Sequence, residues 1–179
     1  MTPPRAQSHQ NATIDLETFH VDPQRGFLPS PDPLDRLPPA FARWEEIARD
    51  LPKLLVAGRL RPVLEQLPIM KVSTLQDPAQ LDRAMLLLSY FGHGYVWAEE
   101  EPARRIPAGV AVPWYAVARR LGRPPVLSYA SYALHNWRRL DPQGPVALGN
   151  SALLQNFLAG LDEEWFVLVH VDIEAKAAS

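Results

Sequence analysis

The chain carries 19 prolines among 179 residues, gathered mainly at 23 to 39, 102 to 125 and 142 to 145, and they decide where it can be regular. Each proline removes a backbone donor and fixes φ, so a proline-dense run makes neither a helix interior nor a central strand. An all-β or coiled-coil arrangement is disfavoured. The windows between the clusters hold apolar residues at helical spacing, which predicts a mainly α fold with at most a minor β element.

Phe41, Trp44, Ile47, Ala48, Leu51, Leu54 and Leu55 form a 3.6-residue stripe, predicting a helix near 39 to 57 with Gly58 at its C-cap. Leu60, Val63, Leu64 and Leu67 repeat the pattern in a shorter helix with Pro62 near its start. Asp77-Pro78 reads as N-cap and first residue of a helix near 79 to 97, with Leu81, Ala84, Met85, Leu88 and Tyr95 on one side. Gly92 and Gly94 inside it imply close packing or a break. Pro113 is expected to open a helix to 121, turning Trp114, Val117, Ala118 and Leu121 inward before Gly122. Over 125 to 139, Tyr129, Tyr132, Ala133 and Asn136 fall at i, i+3, i+4 and i+7 on one helical face. Leu127, Ala130, Leu134 and Trp137 form a separate apolar side, leaving the tyrosines free to line a cavity. Trp44, Leu51, Leu88, Val117, Leu134 and Trp137 are expected to be buried.

Residues 1 to 18 show no apolar periodicity and read as a mobile tail, and 19 to 38 as an extended arm that wraps the domain. Asp141 to Pro145 is a turn, 146 to 157 is expected to hold a small sheet, and Gly160 marks another turn. Trp165, Val167, Val169, Val171 and Ile173 alternate with period 2 and are rich in β-branched residues, which by itself predicts a strand.

Hydrophobic residues at 47%, charged residues at 21% and a 20.1 kDa mass fit one globular unit with a sizeable core. A net charge of -2 without basic clusters among aromatics excludes a nucleic-acid footprint. The apolar runs fall short of a membrane span, and a cytoplasmic location is expected. The Asn11-Ala-Thr13 sequon then has no consequence. With no cysteine, there is neither a disulfide frame nor a thiolate ligand, so any metal or haem must be held by histidine or carboxylate. No Gly-x-Ser-x-Gly and no phosphate-cradling loop is present. His20-Val-Asp22 and His170-Val-Asp172 repeat a tripeptide that could supply a facial triad for non-haem iron, but His20 falls in the arm. His93, between two glycines, is a ligand or a turn residue, and His135 beside Asn136-Trp137 reads as structural.

Tyr95-Val-Trp97, Ile106-Pro107, Ala111-Val-Pro113, Leu121-Gly122, Pro124-Pro125, Tyr129-Ala130 and Asn136-Trp137 recur in the order and similar spacing of the indoleamine 2,3-dioxygenase family, haem enzymes that open the indole ring of tryptophan. Upstream, Phe27-Leu-Pro29-Ser-Pro31, Leu37-Pro38, Trp44 and the Leu51-Pro52-Lys-Leu-Leu55 turn extend the likeness, which covers most of 19 to 178. The chain resembles the amino-terminal part of that all-α family. The resemblance implies a small helical domain over 19 to 160 and the start of a large haem domain over 161 to 179, with 165 to 173 helical against its local pattern.

The resemblance also assigns roles. Phe166, Tyr129, Tyr132 and Ala133 match positions that form the apolar wall around the indole, and Tyr132 stands where the family often has a smaller residue. His170 falls where indoleamine dioxygenases commonly carry serine and the related tryptophan 2,3-dioxygenases carry a distal histidine. A neutral imidazole there can accept the indole N–H or act as a base; the plainer alternative is a structural histidine satisfied by a backbone carbonyl. The implied cofactor is haem b, and the substrates are tryptophan or a related indole and O2. Family members are longer, and the further part supplies the proximal haem ligand, a glycine-rich loop and an arginine for the substrate carboxylate. Three arrangements are therefore expected: a fragment, a half completed by a second chain or by self-association, or a non-catalytic helical interaction module.

Overall fold

The computed structural model describes residues 16 to 19 and 21 to 177. The proposed tail through residue 15, the sequon and His20 lie outside the described residues, while Leu16–Phe19 form a 3-10 turn.

A 3-10 turn at Pro39–Phe41 leads into α1 (Ala42–Val56), whose buried stripe is Trp44, Ile47, Ala48 and Leu51, and Gly58 follows at φ 61°. The family-like Leu51-Pro52 stretch is not a turn, because Pro52 sits inside α1. A short helix, α2 (Leu60–Glu65), follows with Leu60 and Leu64 buried.

The 20-residue α3 (Pro78–Trp97) is capped by Asp77, whose side chain accepts the Ala79 N–H at 2.9 Å. Its buried residues run around the whole circumference rather than along one stripe, as expected of a central helix. Gly92 and Gly94 mark close packing and no break. A Cβ on Gly92 would stand 2.2 Å from the Trp114 ring, and one on Gly94 2.8 Å from Leu60. The one buried charge on α3, Arg83, donates from Nε and a terminal nitrogen to Glu45 of α1 at 3.2 and 2.7 Å, and Glu45 also accepts the Leu37 N–H. At the other end, Arg61 of α2 donates to the carbonyl oxygens of Tyr95 and Val96, satisfying acceptors that a helix terminus leaves free.

Pro113 does not open the next helix, contrary to expectation. The helix α4 (Ala108–Leu121) starts after Pro107, with Pro113 buried inside it and Gly122 closing it at φ 64°. Gly109 explains the earlier start: a Cβ there would lie 1.9 Å from the Leu67 carbonyl oxygen, so this turn seats directly on backbone. Burial between α2 and α3 outweighs the hydrogen bond Pro113 forfeits.

The predicted helix over 125 to 139 is also corrected. One π-helical turn spans Ala130–Leu134, closed by the His135 N–H to the Ala130 carbonyl at 3.0 Å, and the chain then enters strand β1 (Trp137–Arg139). β1 pairs antiparallel with β2 (Ser151–Leu153); of this small sheet only β2 lies within the expected 146 to 157. Asn136 sets this break. Its side chain donates to Tyr90 Oη at 3.2 Å and the Gln155 carbonyl at 2.8 Å, and accepts the Gln155 N–H at 2.8 Å. Three buried hydrogen bonds across the chain win over continuation of a local helix.

Trp165 to Ile173 is helix, within α5 (Leu161–Lys176), and the period-2 strand pattern is overruled. Asp162, Glu163 and Glu164 crowd its first turn, where the helix dipole favours negative charge. Glu163 reaches back to accept the N–H groups of Phe157 and Leu158 at 2.6 and 2.9 Å. Val167, Leu168 and Val171 are buried, and Leu168 and Val171 join Leu28 of the arm and Trp137 in a second small core. The arm wraps as expected: Asp32 accepts from Arg139 at 2.7 Å and pairs with Arg25, which stacks over Trp137.

Of the six residues expected in the core, Trp44, Leu51, Leu88, Val117 and Trp137 are buried, and Leu134 is half-buried against the second core. No helix among the described residues is long and apolar enough to cross a membrane.

Gly92→Ala should cost about 1–3 kcal/mol, the usual penalty for overpacking a rigid contact, because the Trp114 ring cannot leave without opening the α3–α4 seam. Gly149→Ala, with nothing within 4 Å of its Cβ, should stay within about 0.5 kcal/mol. Urea denaturation of both variants measures the difference, and equal midpoints would contradict this packing.

Candidate functional site

The π-helical turn and α5 bring four of the five candidate residues together. The Tyr129 ring stands edge-on to Tyr132, with centroids 5.4 Å apart at 87°, and edge-on to His170 at 6.0 Å and 74°. Phe166 lies one helical turn before His170, with ring centroids 4.6 Å apart. Edge-to-face contacts at these distances suit the ring quadrupoles. The result is an aromatic wall with a single imidazole in it. Ala133 lies in the same turn but is fully buried, so it adds no open surface. Asn136, which helical spacing placed on this face, is instead committed to Gln155 and Tyr90.

His170 Nδ1 lies 2.6 Å from the Phe166 carbonyl oxygen. A carbonyl only accepts, so this contact assigns the proton to Nδ1 and leaves Nε2 of the neutral ring as an acceptor. The carbonyl partner of a structural histidine and the free acceptor of a reactive one thus coexist in one side chain. The other described histidines are engaged. His93 sits within α3, not in a turn: its Nε2 accepts the Leu127 N–H at 3.1 Å, and burial lowers its pKa. His135 lies 3.7 Å from Asp82; burial draws its pKa down, outweighing that carboxylate. No group of three or more His, Asp or Glu side chains among the described residues is arranged to hold a metal ion. The facial-triad reading includes His20 and lies outside the described residues.

Sequence reasoning missed Glu174. Its Oε1 accepts the Tyr129 hydroxyl hydrogen at 2.6 Å. Burial, with this bond added, pushes the Tyr129 phenol pKa well up. The i, i+4, i+8 run Phe166, His170, Glu174 on α5 was the available signal, but no local pattern pairs Glu174 with a residue 45 positions earlier. Ser131, between the two tyrosines, is buried and its hydroxyl has no hydrogen-bond partner among the described residues. Beside the imidazole, α5 leaves Trp165 62%, Phe166 56% and Ile173 56% exposed, apolar surface of the sort that marks interaction sites.

Residues 15 to 179 match the family model described as indoleamine 2,3-dioxygenase. The chain belongs to the indoleamine 2,3-dioxygenase family. It is 36% identical over 165 residues to indoleamine 2,3-dioxygenase 1 of Rattus norvegicus, covering 91% of this chain and 40% of that protein. It is 35% identical over 179 residues to indoleamine 2,3-dioxygenase 2 of Homo sapiens, with 99% and 44% covered. Indoleamine 2,3-dioxygenase acdA of Aspergillus candidus is 36% identical over 172 residues, with 91% and 42% covered. The chain therefore spans less than half the length of these family members.

The raised phenol pKa has a stability consequence with a definite sign. Tyr129 holds its proton more tightly when folded, so its contribution is whole below the unfolded phenol value of about 10 and is lost as pH rises past it. Tyr90, also raised by burial, acts in the same direction. Urea denaturation across that range should show stability falling, and Tyr129→Phe should make the fall shallower without abolishing it. An unchanged pH slope in Tyr129→Phe would mean that the Tyr129 phenol is not shifted in solution, by burial or by Glu174.

Proposed function

We propose that this chain is the amino-terminal part of a haem-dependent dioxygenase that oxidatively opens the indole ring of tryptophan or a related indole, active when joined to the remainder of the family's length. The observation that carries this reading is the convergence of Tyr129, Tyr132, Phe166 and His170 from two separate segments onto one aromatic wall. A flat apolar substrate is bound by such a wall through burial and edge contacts. Within the wall, His170 Nε2 offers an acceptor for the single N–H of an indole.

His170 is the catalytic residue of this reading. Its Nδ1–H is tied to Phe166, which orients Nε2 to accept the indole N–H or to take its proton. Tyr129, Tyr132 and Phe166 hold the ring and exclude water, with Ala133 as the small buried member of the turn. The described residues suit one wall of a haem b pocket and not its axial ligation, since His93 and His135 are engaged. When bound, haem supplies the oxygen chemistry. The ligand holding its iron is assigned to the part of the enzyme beyond this chain. The exposed face of Trp165, Phe166 and Ile173 is where that part, or a complementing chain, is expected to cover α5. The interaction-module alternative has no observation of its own in its favour.

In the completed, haem-loaded enzyme, His170→Ala should lower turnover of tryptophan or a related indole by about 10²–10⁴, the range for one positioned acid–base group, with haem content unchanged. His170→Ser should be milder, since serine is common at this position in the family. Loss of haem in His170→Ala would make His170 an iron ligand, and unchanged turnover would leave it a structural role alone.

The chain purified alone should associate with itself as concentration rises. Sedimentation velocity checks this, and Trp165→Glu should reduce it. A strictly monomeric chain at high concentration counts against an uncovered docking face.

A further inference from the structure

We infer that Glu174 is a positioning residue for the aromatic wall: its carboxylate anchors the Tyr129 hydroxyl and so holds the Tyr129 ring edge-on to both Tyr132 and His170. The inference rests on the proposed dioxygenase reading for its functional half and on geometry for the rest.

Three contacts define the device. The Tyr129 hydroxyl donates to Glu174 Oε1 at 2.6 Å, a charge-assisted bond of the stronger class. The same ring meets Tyr132 and His170 through its two edge contacts. His170 is fixed independently, through Nδ1 to the Phe166 carbonyl. Without Glu174 the Tyr129 ring keeps its edge contacts, but no hydrogen bond fixes its hydroxyl.

Glu174 is itself held in place from behind. The arm presents Gly26 at φ 62° so close to α5 that a Cβ would lie 2.1 Å from the Glu174 carbonyl oxygen. Asp172, two residues earlier, accepts the Leu148 N–H at 3.2 Å. The backbone that carries the carboxylate is therefore pinned by the arm on one side and the 146–150 segment on the other. Tyr129 is thus clamped to a fixed point, and the clamp joins the two elements that make the wall. A phenol keeps its proton at physiological pH in any case, and burial and this bond move its pKa further up.

The amide of Glu174→Gln retains an oxygen that accepts from the phenol, whereas Glu174→Ala has none, and Tyr129→Phe keeps the ring but loses the donor. In the 179-residue chain, NMR of the His170 ring protons reports the Tyr129 ring current directly. Glu174→Ala and Tyr129→Phe should shift those protons alike, and Glu174→Gln should leave them near wild type. In the completed enzyme, KM for the indole should rise about tenfold in Glu174→Ala, the scale of one charge-assisted hydrogen bond, with a smaller change in kcat and recovery in Glu174→Gln. Unmoved His170 protons in Glu174→Ala overturn the clamp. Moved protons with unchanged KM overturn its role in binding. A completed wild-type enzyme that turns over no indole overturns the dioxygenase reading, and full activity in His170→Ala overturns only the catalytic role of His170; in both cases the NMR result stands by itself.

Discussion

The structure turns on α3, a helix buried around its whole circumference. A helix so placed must let its neighbours approach on several sides at once, and Gly92 and Gly94 provide that room for Trp114 and Leu60. Its one internal charge, Arg83, is neutralised by Glu45 of α1, because an unpaired guanidinium at this depth would cost several kcal/mol. Its last carbonyls are taken by Arg61 of α2. α1 and α2 are therefore each held to α3 by apolar contact and by a polar tie of its own, whereas α4 is seated by Trp114 on Gly92.

The second core is smaller and matters more for the site. Leu28, Trp137, Leu168 and Val171 join the arm, the two-stranded sheet and α5. Around them, Asp32 draws Arg25 and Arg139 together. Burial would raise this carboxyl, but the hydrogen bonds from Arg139 and Arg25 outweigh it and hold its pKa below the usual range. The tie is therefore present above about pH 4 and lost as acid protonates Asp32. This polar seam ties the arm to β1, while Leu168 and Val171 seat α5 on the same small core and the Glu174 bond to Tyr129 joins α5 to the π-helical turn.

A family resemblance spread over many short motifs is consistent with this arrangement. Pro107, Gly122, Asn136 and Trp137 are not site residues: the first two bound α4, and the last two mark the passage from the π-helical turn to β1. Asn136 ends the helical run after Tyr129 and Tyr132, and Trp137 anchors the strand that follows. The wall follows from these architectural choices, and α5 still presents an apolar face beyond it for whatever completes the pocket.

Local sequence alone determined the helices whose apolar stripes and caps agree: α1, α2 and α3, with Gly58 and Asp77 in their capping roles, and also the end of α4 at Gly122. There the stripe, the propensity and the end signals all favour the same state, so tertiary packing had nothing to overrule. The family likeness determined which five side chains to watch. Tertiary structure decided the rest. It started α4 before Pro113, because Gly109 seats on Leu67 backbone. It replaced a helix over 125 to 139 by a π-helical turn and a strand, because Asn136 finds three buried partners. It turned the β-branched 165 to 173 run into helix, where acidic first-turn residues and a buried Val167, Leu168 and Val171 face outweigh period-2 preference. It also paired Tyr129 with Glu174 across 45 residues, since a hydrogen bond between side chains distant in the chain exists only once the elements carrying them have docked.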